Sequence, residues 1–435
     1  MLLRPGDPGY EEARRVHNGL IDKRPALIAR CRGTADVVDA VNFARTNGLE
    51  ISVRGGGHNV AGRAVTDGGV MIDLALMKGI VVDPVARTVR VQGGATWREF
   101  NRETAVQGLA TTGGVVSTTG VAGLTLGGGL GWLMGKDGLA VDNLLSVELV
   151  TAACDVLNVT ADTNPDLFWA LRGGGGNFGV ASSFVFRLHP LRHVVGGIVA
   201  HPIAAARDVL RFFRDVTASL PDELTVFAAL THAPDGSGVP LAAFALCHCG
   251  PDDQAAREVR PLLEFGAPVL VNVGTIPYPV MNTILDATYP FGVLSYWKSS
   301  FLETLSDDAI DTLIACFHTC PSSMTGMILE HVHGAVTSVG VADTAVPHRQ
   351  PGYNLVIPSV WTDPAATSDN VTWTRATYRA LEPYFAHRRY VNYLDADEGG
   401  EAVHSAYGPN YARLVETKRK YDPGNLFRLN QNIAP

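Results

Sequence analysis

Residues 54–59 read Arg54-Gly55-Gly56-Gly57-His58-Asn59 and follow the apolar, β-prone run Ile51-Ser52-Val53. Three residues without side chains let backbone amides approach a ligand closely, and amides exposed in such a turn form a nest suited to pyrophosphate. The imidazole comes next, placed for the reactive end of a nucleotide. A second glycine-rich stretch runs from Gly113 to Gly131 and includes Gly114, Thr118, Thr119, Gly120, Gly123 and Gly129. A third runs from Arg172 through Gly179 to Val180. A core segment gains nothing from so many glycines, because each loses backbone entropy on folding and packs nothing. Close approach to a large flat ligand accounts for them. A Rossmann dinucleotide site does not, since Gly129-Leu130-Gly131 is followed by Trp132-Leu133-Met134, with no glycine at 134.

The elements that must hold these clusters are legible in outline. From about 20 to 190, β-prone runs bounded by turn residues (Val70 to Leu74, Thr88 to Gln92, Ser146 to Val150) alternate with helical stretches at Thr34 to Thr46 and Trp97 to Gln107. After Pro190 glycines thin out. Amphipathic stretches at Ala204 to Leu220 and Asp307 to Phe317 there alternate with strand-like runs at Thr225 to Leu230, Leu241 to Leu246 and Asn354 to Ile357. This pattern predicts an α+β chain whose second domain is a sheet backed by helices. The tail regains motif character, with Tyr390-Val391-Asn392-Tyr393 and Asn430-Gln431-Asn432, and is expected to return to the first domain. The expected boundaries are 1–192, 193–385 and 386–435.

A length of 435 residues suits two or three domains, and 46% hydrophobic with 18% charged residues reads as globular. The net charge of -8, with no long Lys/Arg run, disfavours nucleic acid and anionic lipid as partners and favours a small molecule. The start lacks the pattern of a secretory signal, and no stretch is apolar enough to span a bilayer. Six scattered cysteines are unlike a secreted disulfide framework, so cytoplasmic residence with free thiols is expected. Cys247-His248-Cys249 and Cys316 to Cys320 lack zinc spacing. Buried inert thiols are the expectation, and no metal.

Four segments together are specific. Val53 to Gly62, the block Thr119 to Gly131, Trp169 to Gly179, and Lys420-Tyr421-Asp422-Pro423-Gly424-Asn425-Leu426-Phe427 resemble the berberine bridge enzyme-like flavoprotein oxidases of the vanillyl-alcohol oxidase, or PCMH-type FAD, superfamily. The resemblance runs in order from about residue 15 to the C-terminus. It implies a PCMH-type FAD domain of two α/β subdomains, built from the N-terminal half and the last segment, with a substrate domain inserted between. It also implies a cofactor-binding set of Arg54, Gly55, Gly56, Gly57, His58, Asn59, Gly62, Gly114, Thr118, Thr119, Gly120, Gly123, Gly129, Gly179, Val180 and Asn430, with His58 bonded to the flavin 8α-methyl group.

Many such relatives carry a second, cysteinyl link within Gly-x-Cys-Pro-x-x-Gly. The matching stretch here is Gly114-Val115-Val116-Ser117-Thr118-Thr119-Gly120, so Val116 stands in the cysteine's place. Valine has no nucleophile. The resemblance therefore implies one covalent bond, as in the 6-hydroxynicotine oxidase-like branch. Thr119 departs from the small aliphatic residue that some relatives place there to control oxygen access.

Oxidation at a flavin needs a C–H aimed at N5 and, for an alcohol, a base for the proton. Tyr390-Val391-Asn392-Tyr393 resembles the family's Tyr-x-Asn-Tyr segment, which marks Asn392 and Tyr393 as catalytic candidates and Tyr390 as a substrate contact. In a regular strand Tyr390 and Asn392 share one face and Tyr393 takes the other, so both candidates are not expected on one surface. Further substrate candidates are Tyr278, Tyr296, Glu330 and His333, and structural roles compete at each. In Met327 to Gly334, read as a strand, Glu330 and His333 point opposite ways. Trp297 and Lys298 are comparable to Tyr296, and Thr344 to Arg349 reads as structural. The expected activity is hydride transfer from an alcohol, amine or specialised-metabolite intermediate to FAD, with O2 reoxidising it to give H2O2. A flavin-dependent monooxygenase or cyclase is the alternative.

Overall fold

The computed structural model describes residues 1–435. Strands Leu27–Arg30, Val70–Asp73 and Ile51–Arg54 pair in parallel, with Leu2–Leu3 antiparallel at the edge. Helix Thr34–Thr46 carries the chain between the first and last of these and buries Val37, Ala40, Val41 and Ala44. The central strand Val70–Asp73 is buried at every residue, as a parallel strand covered on both faces must be. The glycine turn leaves this sheet at the carboxyl end of Ile51–Arg54, where Arg54 grips the fully buried Asp73 through two hydrogen bonds, Nε to Oδ1 at 2.9 Å and Nη2 to Oδ2 at 2.6 Å.

A second, antiparallel sheet follows the order Ile80–Asp83, Thr88–Gln92, Val180–Arg187, Leu144–Val150, Val156–Thr160. Helix Trp97–Val106 starts in a capping box in which Glu99 Oε2 accepts from Thr96 N at 2.8 Å. Thr96 also bridges to Gly120, so this helix start fixes the second glycine stretch.

The third sheet has seven antiparallel strands in the order Leu270–Pro277, His193–Pro202, Pro240–His248, Leu224–His232, Met327–Val332, Gly352–Trp361, Leu294–Leu302. Helices Ala206–Thr217, Asp307–Phe317 and Thr367–Leu381 cover one face, burying Val209, Phe213, Ile310, Leu313 and Trp373 against Phe244, Leu329 and Leu355. The other face turns Phe227, Cys247, Phe301 and Val332 towards Leu130, Trp132, Met134 and Tyr390. Thus the sheet roofs the glycine-rich half. From the tail, Val391, Leu394, Tyr407, Leu414 and Ile433 share one core with Phe184 and Trp169.

The helices expected at Thr34 to Thr46 and Asp307 to Phe317 have those bounds. The segment around Asn392 differs from expectation. Val391–Tyr393 is a turn of 3₁₀ helix, not a strand.

Candidate active site

One large cavity is lined by 37 residues and lies where the glycine turn, the second glycine stretch, the tail and the seven-stranded sheet meet. Gly55, Gly56, Gly57, His58, Asn59, Gly114, Thr119, Gly120, Gly123, Gly179, Tyr390, Asn392, Tyr393 and Asn430 all line it. Val116 lines it as well, packed with Tyr289 and Val360.

The glycines divide into two kinds. A Cβ on Gly56 would sit 2.4 Å from Gly120 N, and one on Gly120 would sit 2.3 Å from Gly56 N. These two are small because one loop rests on the other. Gly123 is different: a Cβ there meets nothing within 4 Å, and the residue borders the cavity. Ligand approach therefore accounts for some of the clustered glycines, and contact between loops for the rest.

Several expected residues stand back from the cavity wall. A Cβ on Gly62 would lie 2.7 Å from the Ile21 side chain, away from the cavity. Gly129 abuts Ala140, and its N donates to Tyr390 Oη at 2.9 Å. Val180 belongs to the core with Val150 and Phe427. Thr118 acts through His58, described below. Tyr278 is buried in the core that includes Met281 and Phe301. Tyr296 Oη donates to Asp397 Oδ2 at 2.6 Å, in a network with Lys298 and Arg375. His333 stacks on His331 with ring centroids 4.6 Å apart. The cavity-lining aromatics from the sheet side are instead Tyr289 and Trp297. Neither carries a motif, and Tyr289 had no sequence signal at all. The Thr344 to Arg349 segment is a brace, with Arg349 bidentate to Asp142 at 2.7 and 2.8 Å.

His58 is held from two sides. Its Nε2 lies 2.9 Å from Thr118 Oγ1, and its ring stacks on His17 at 3.7 Å between centroids. Burial, followed by His17, holds its pKa well below the ordinary histidine value, so the imidazole is neutral. Nε2 is thus engaged by Thr118, and Nδ1 is the other ring nitrogen. Both supports hang from one short segment. Tyr289 O lies 3.0 Å from His17 Nε2. Asp286 accepts from Ser117 N at 2.8 Å and Ser117 Oγ at 2.6 Å, beside Thr118, and from Arg98 Nη2 at 2.8 Å. Asn282 Nδ2 donates to Gly114 O in the same stretch.

The 3₁₀ turn brings both Asn392 and Tyr393 to the cavity, which a regular strand would have prevented. Asn392 Nδ2 donates to Leu124 O at 3.0 Å and Tyr390 Oη at 2.9 Å. Tyr393 Oη donates to Glu330 Oε1 at 2.9 Å, while Asn354 Nδ2 donates to Glu330 Oε2 at 2.7 Å. Glu330 is buried behind the wall, and burial raises its pKa to about 7 against the lowering effect of those two donors. Burial and the Glu330 charge push the Tyr393 phenol well above its ordinary value. The couple can accept a proton at Tyr393 while Tyr393 passes its own to Glu330.

The cavity suits a flavin dinucleotide. It offers a glycine turn for a pyrophosphate, the open face at Gly123, a neutral imidazole, and the Asn430 and Gln431 side chains of the tail. The model for an FAD binding domain matches residues 25–160, and that for berberine and berberine-like proteins matches 389–434. The chain belongs to the berberine bridge enzyme-like family of FAD-linked oxidoreductases. Among its relatives, an FAD-linked oxidoreductase of Dictyostelium discoideum is 31% identical over 100% of this chain and 94% of its own. The (R)-6-hydroxynicotine oxidase of Paenarthrobacter nicotinovorans is 31% identical over 100% of this chain and 96% of its own. The crystal structure of 6-hydroxy-D-nicotine oxidase from Arthrobacter nicotinovorans superposes with a TM-score of 0.92 at 30% identity, covering 100% of this chain and 98% of that one. A chitooligosaccharide oxidase shares the fold, with a TM-score of 0.89 at 24% identity over 100% and 97% of the two chains. No helix is long and apolar enough to cross a membrane.

Proposed function

We propose that this protein oxidises a small, uncharged organic substrate at a carbon bearing a hydroxyl or amine, with FAD bonded through His58 Nδ1 alone and O2 as final acceptor, giving H2O2. The observation that carries the reading is the Tyr393–Glu330 couple at the wall of a cavity that also presents His58. FAD, when bound, supplies the hydride acceptor at N5. Tyr393 takes the substrate's hydroxyl or amine proton and delivers its own to Glu330 across the 2.9 Å hydrogen bond. Asn392, fixed by Leu124 O and Tyr390, orients the substrate.

Substrate class follows from the lining around Tyr289 and Trp297. Tyr289, Trp297, Val115, Val116 and Leu130 present aromatic and aliphatic surface with no charge. That surface suits a heterocyclic or other flat, weakly polar molecule better than a sugar. The 6-hydroxynicotine oxidase relative, named for a heterocycle, points the same way. Val116, packed against Tyr289, offers no nucleophile for a second link. We assign the FAD unit to residues 1–192 with 386–435 and the substrate unit to 193–385, on the strength of the shared core that joins the tail to the first half. Six unpaired cysteines favour a reducing, cytoplasmic setting.

The test is acid precipitation of the purified protein. Yellow colour is expected to stay with the wild-type pellet and to pass into the supernatant in His58→Ala. Free FAD released from the wild type would overturn the covalent assignment. Anaerobic mixing with N-heterocyclic amines and benzylic alcohols is expected to bleach the flavin band, with peroxide formed on admitting air. Bleaching without peroxide would remove O2 as acceptor.

A further inference from the structure

Arg63 is the only residue with a formal charge among those lining the cavity. It sits five residues beyond His58, in a turn shaped by Asn59: Asn59 O accepts from Gly62 N at 3.1 Å, and Asn59 Oδ1 accepts from Arg63 N at 3.1 Å. Its Nε is buried and has no hydrogen-bond partner. The two carboxylates that act on it from a distance, Asp395 and Glu50, are engaged elsewhere. Asp395 accepts from Trp297 N at 2.9 Å and Ala396 N at 2.6 Å, while Glu50 receives the Thr66 hydroxyl and faces Arg428 at 3.7 Å. Lys23, the nearby cation, can only repel it.

A guanidinium carries five donors in a fixed fork and does not lose its charge, so leaving it buried without an anion is costly. Arg54 pairs with Asp73 and Arg349 with Asp142, while Arg388, whose guanidinium nitrogens are also unpaired, lies over the Phe301 ring and does not line the cavity. Arg63 is half-buried at the cavity wall and has no counterion, so an anion arriving with the ligand would supply the missing partner. The amides of the glycine turn offer hydrogen bonds but no net charge. FAD brings two negative charges on its pyrophosphate to a protein whose own net charge is -8.

We infer that Arg63 is the anion-binding group of this cavity and neutralises the cofactor's pyrophosphate, completing the site that the glycine turn begins. The same chemistry could serve a carboxylate or phosphate on the substrate, and the experiment separates the two. The inference rests on FAD binding, which the visible spectrum of the wild-type protein checks independently.

FAD and riboflavin share the isoalloxazine ring, and only FAD has a pyrophosphate. In a His58→Ala background, where retention depends on binding alone, adding Arg63→Gln is expected to weaken FAD roughly 10- to 100-fold. Riboflavin affinity should hold, and Arg63→Lys should recover part of the loss. Equal weakening of both flavins, or of neither, overturns the assignment. Should His58→Ala not accumulate as folded protein, 31P spectra of the otherwise wild-type holoenzyme provide the second readout. Both pyrophosphate resonances are expected to move in Arg63→Gln and to move less in Arg63→Lys. An unmoved spectrum overturns the inference, as does a variant whose only change is a higher KM for an anionic substrate.

Discussion

Glu330→Gln is expected to slow flavin reduction by roughly 10²- to 10⁴-fold, the usual range for losing a positioned proton acceptor. Glutamine keeps the local geometry, since its carbonyl can accept from Asn354 and its amide can face Tyr393, so the change removes the base and little else. Tyr393→Phe should fall in the same range, because it breaks the only path from cavity to carboxylate. In the wild type the carboxylate must be ionised, and its pKa stands at about 7, so the rate should drop as pH falls through neutrality. The variant should lose that acid limb. Stopped-flow bleaching against pH decides the matter, and an unchanged acid limb in Glu330→Gln would remove Glu330 from the mechanism.

Stability should respond in the opposite sense. The folded-state pKa of Glu330 is raised from 4.5 to about 7, so the unfolded chain releases this proton first as pH rises. The contribution is fully present below pH 4.5 and is lost as pH rises through 7, at a cost of about 3 kcal/mol. Glu330→Gln is therefore expected to be more stable than the wild type above neutrality. A group that destabilises its own fold in the form it needs for chemistry is typical of a functional site.

The second large effect lies in the tail. Lys418 Nζ donates to Asn177 O at 2.7 Å, Asp422 Oδ2 at 2.7 Å and Phe427 O at 3.0 Å, and both charged side chains are fully buried. Asp422 also accepts from Leu426 N at 2.8 Å and Phe427 N at 2.9 Å. Asn177 and Phe427 both line the cavity. Lys418→Met leaves a buried carboxylate unpaired, which costs about 3–5 kcal/mol. The denaturation midpoint should fall accordingly, and flavin should be lost at lower denaturant than in the wild type. A midpoint within about 1 kcal/mol of the wild type would show that water relieves Asp422, and that the pair does not hold the tail.

Much of this was legible in the chain. Thr34–Thr46 and Asp307–Phe317 are periodic segments with clear stops, and they fold as read. His58 follows a glycine turn with few other uses. The misreading at Asn392 and Tyr393 has a definite cause: a four-residue segment rich in β-formers carries no periodicity that separates a strand from a 3₁₀ turn. Tyr289 and Trp297 reach the cavity through tertiary placement alone. Gly56 and Gly120 look identical to Gly123 in sequence, yet two of them meet a neighbouring backbone and one meets open space. Lys418 and Asp422 stand at i and i+4, a spacing usually found on exposed helix faces, so nothing local announced a buried pair.

The short run from Asn282 to Tyr289 is a shared hinge pin between the two halves of the molecule. It presents the Tyr289 ring to the cavity while gripping Gly114, Ser117 and His17. Evolution cannot tune one half here without disturbing the other, and neither can an engineer. A seven-stranded sheet transplanted from a relative to alter specificity must bring this run with it, together with the matching 113–119 loop. Otherwise the new specificity would arrive with a loosened histidine.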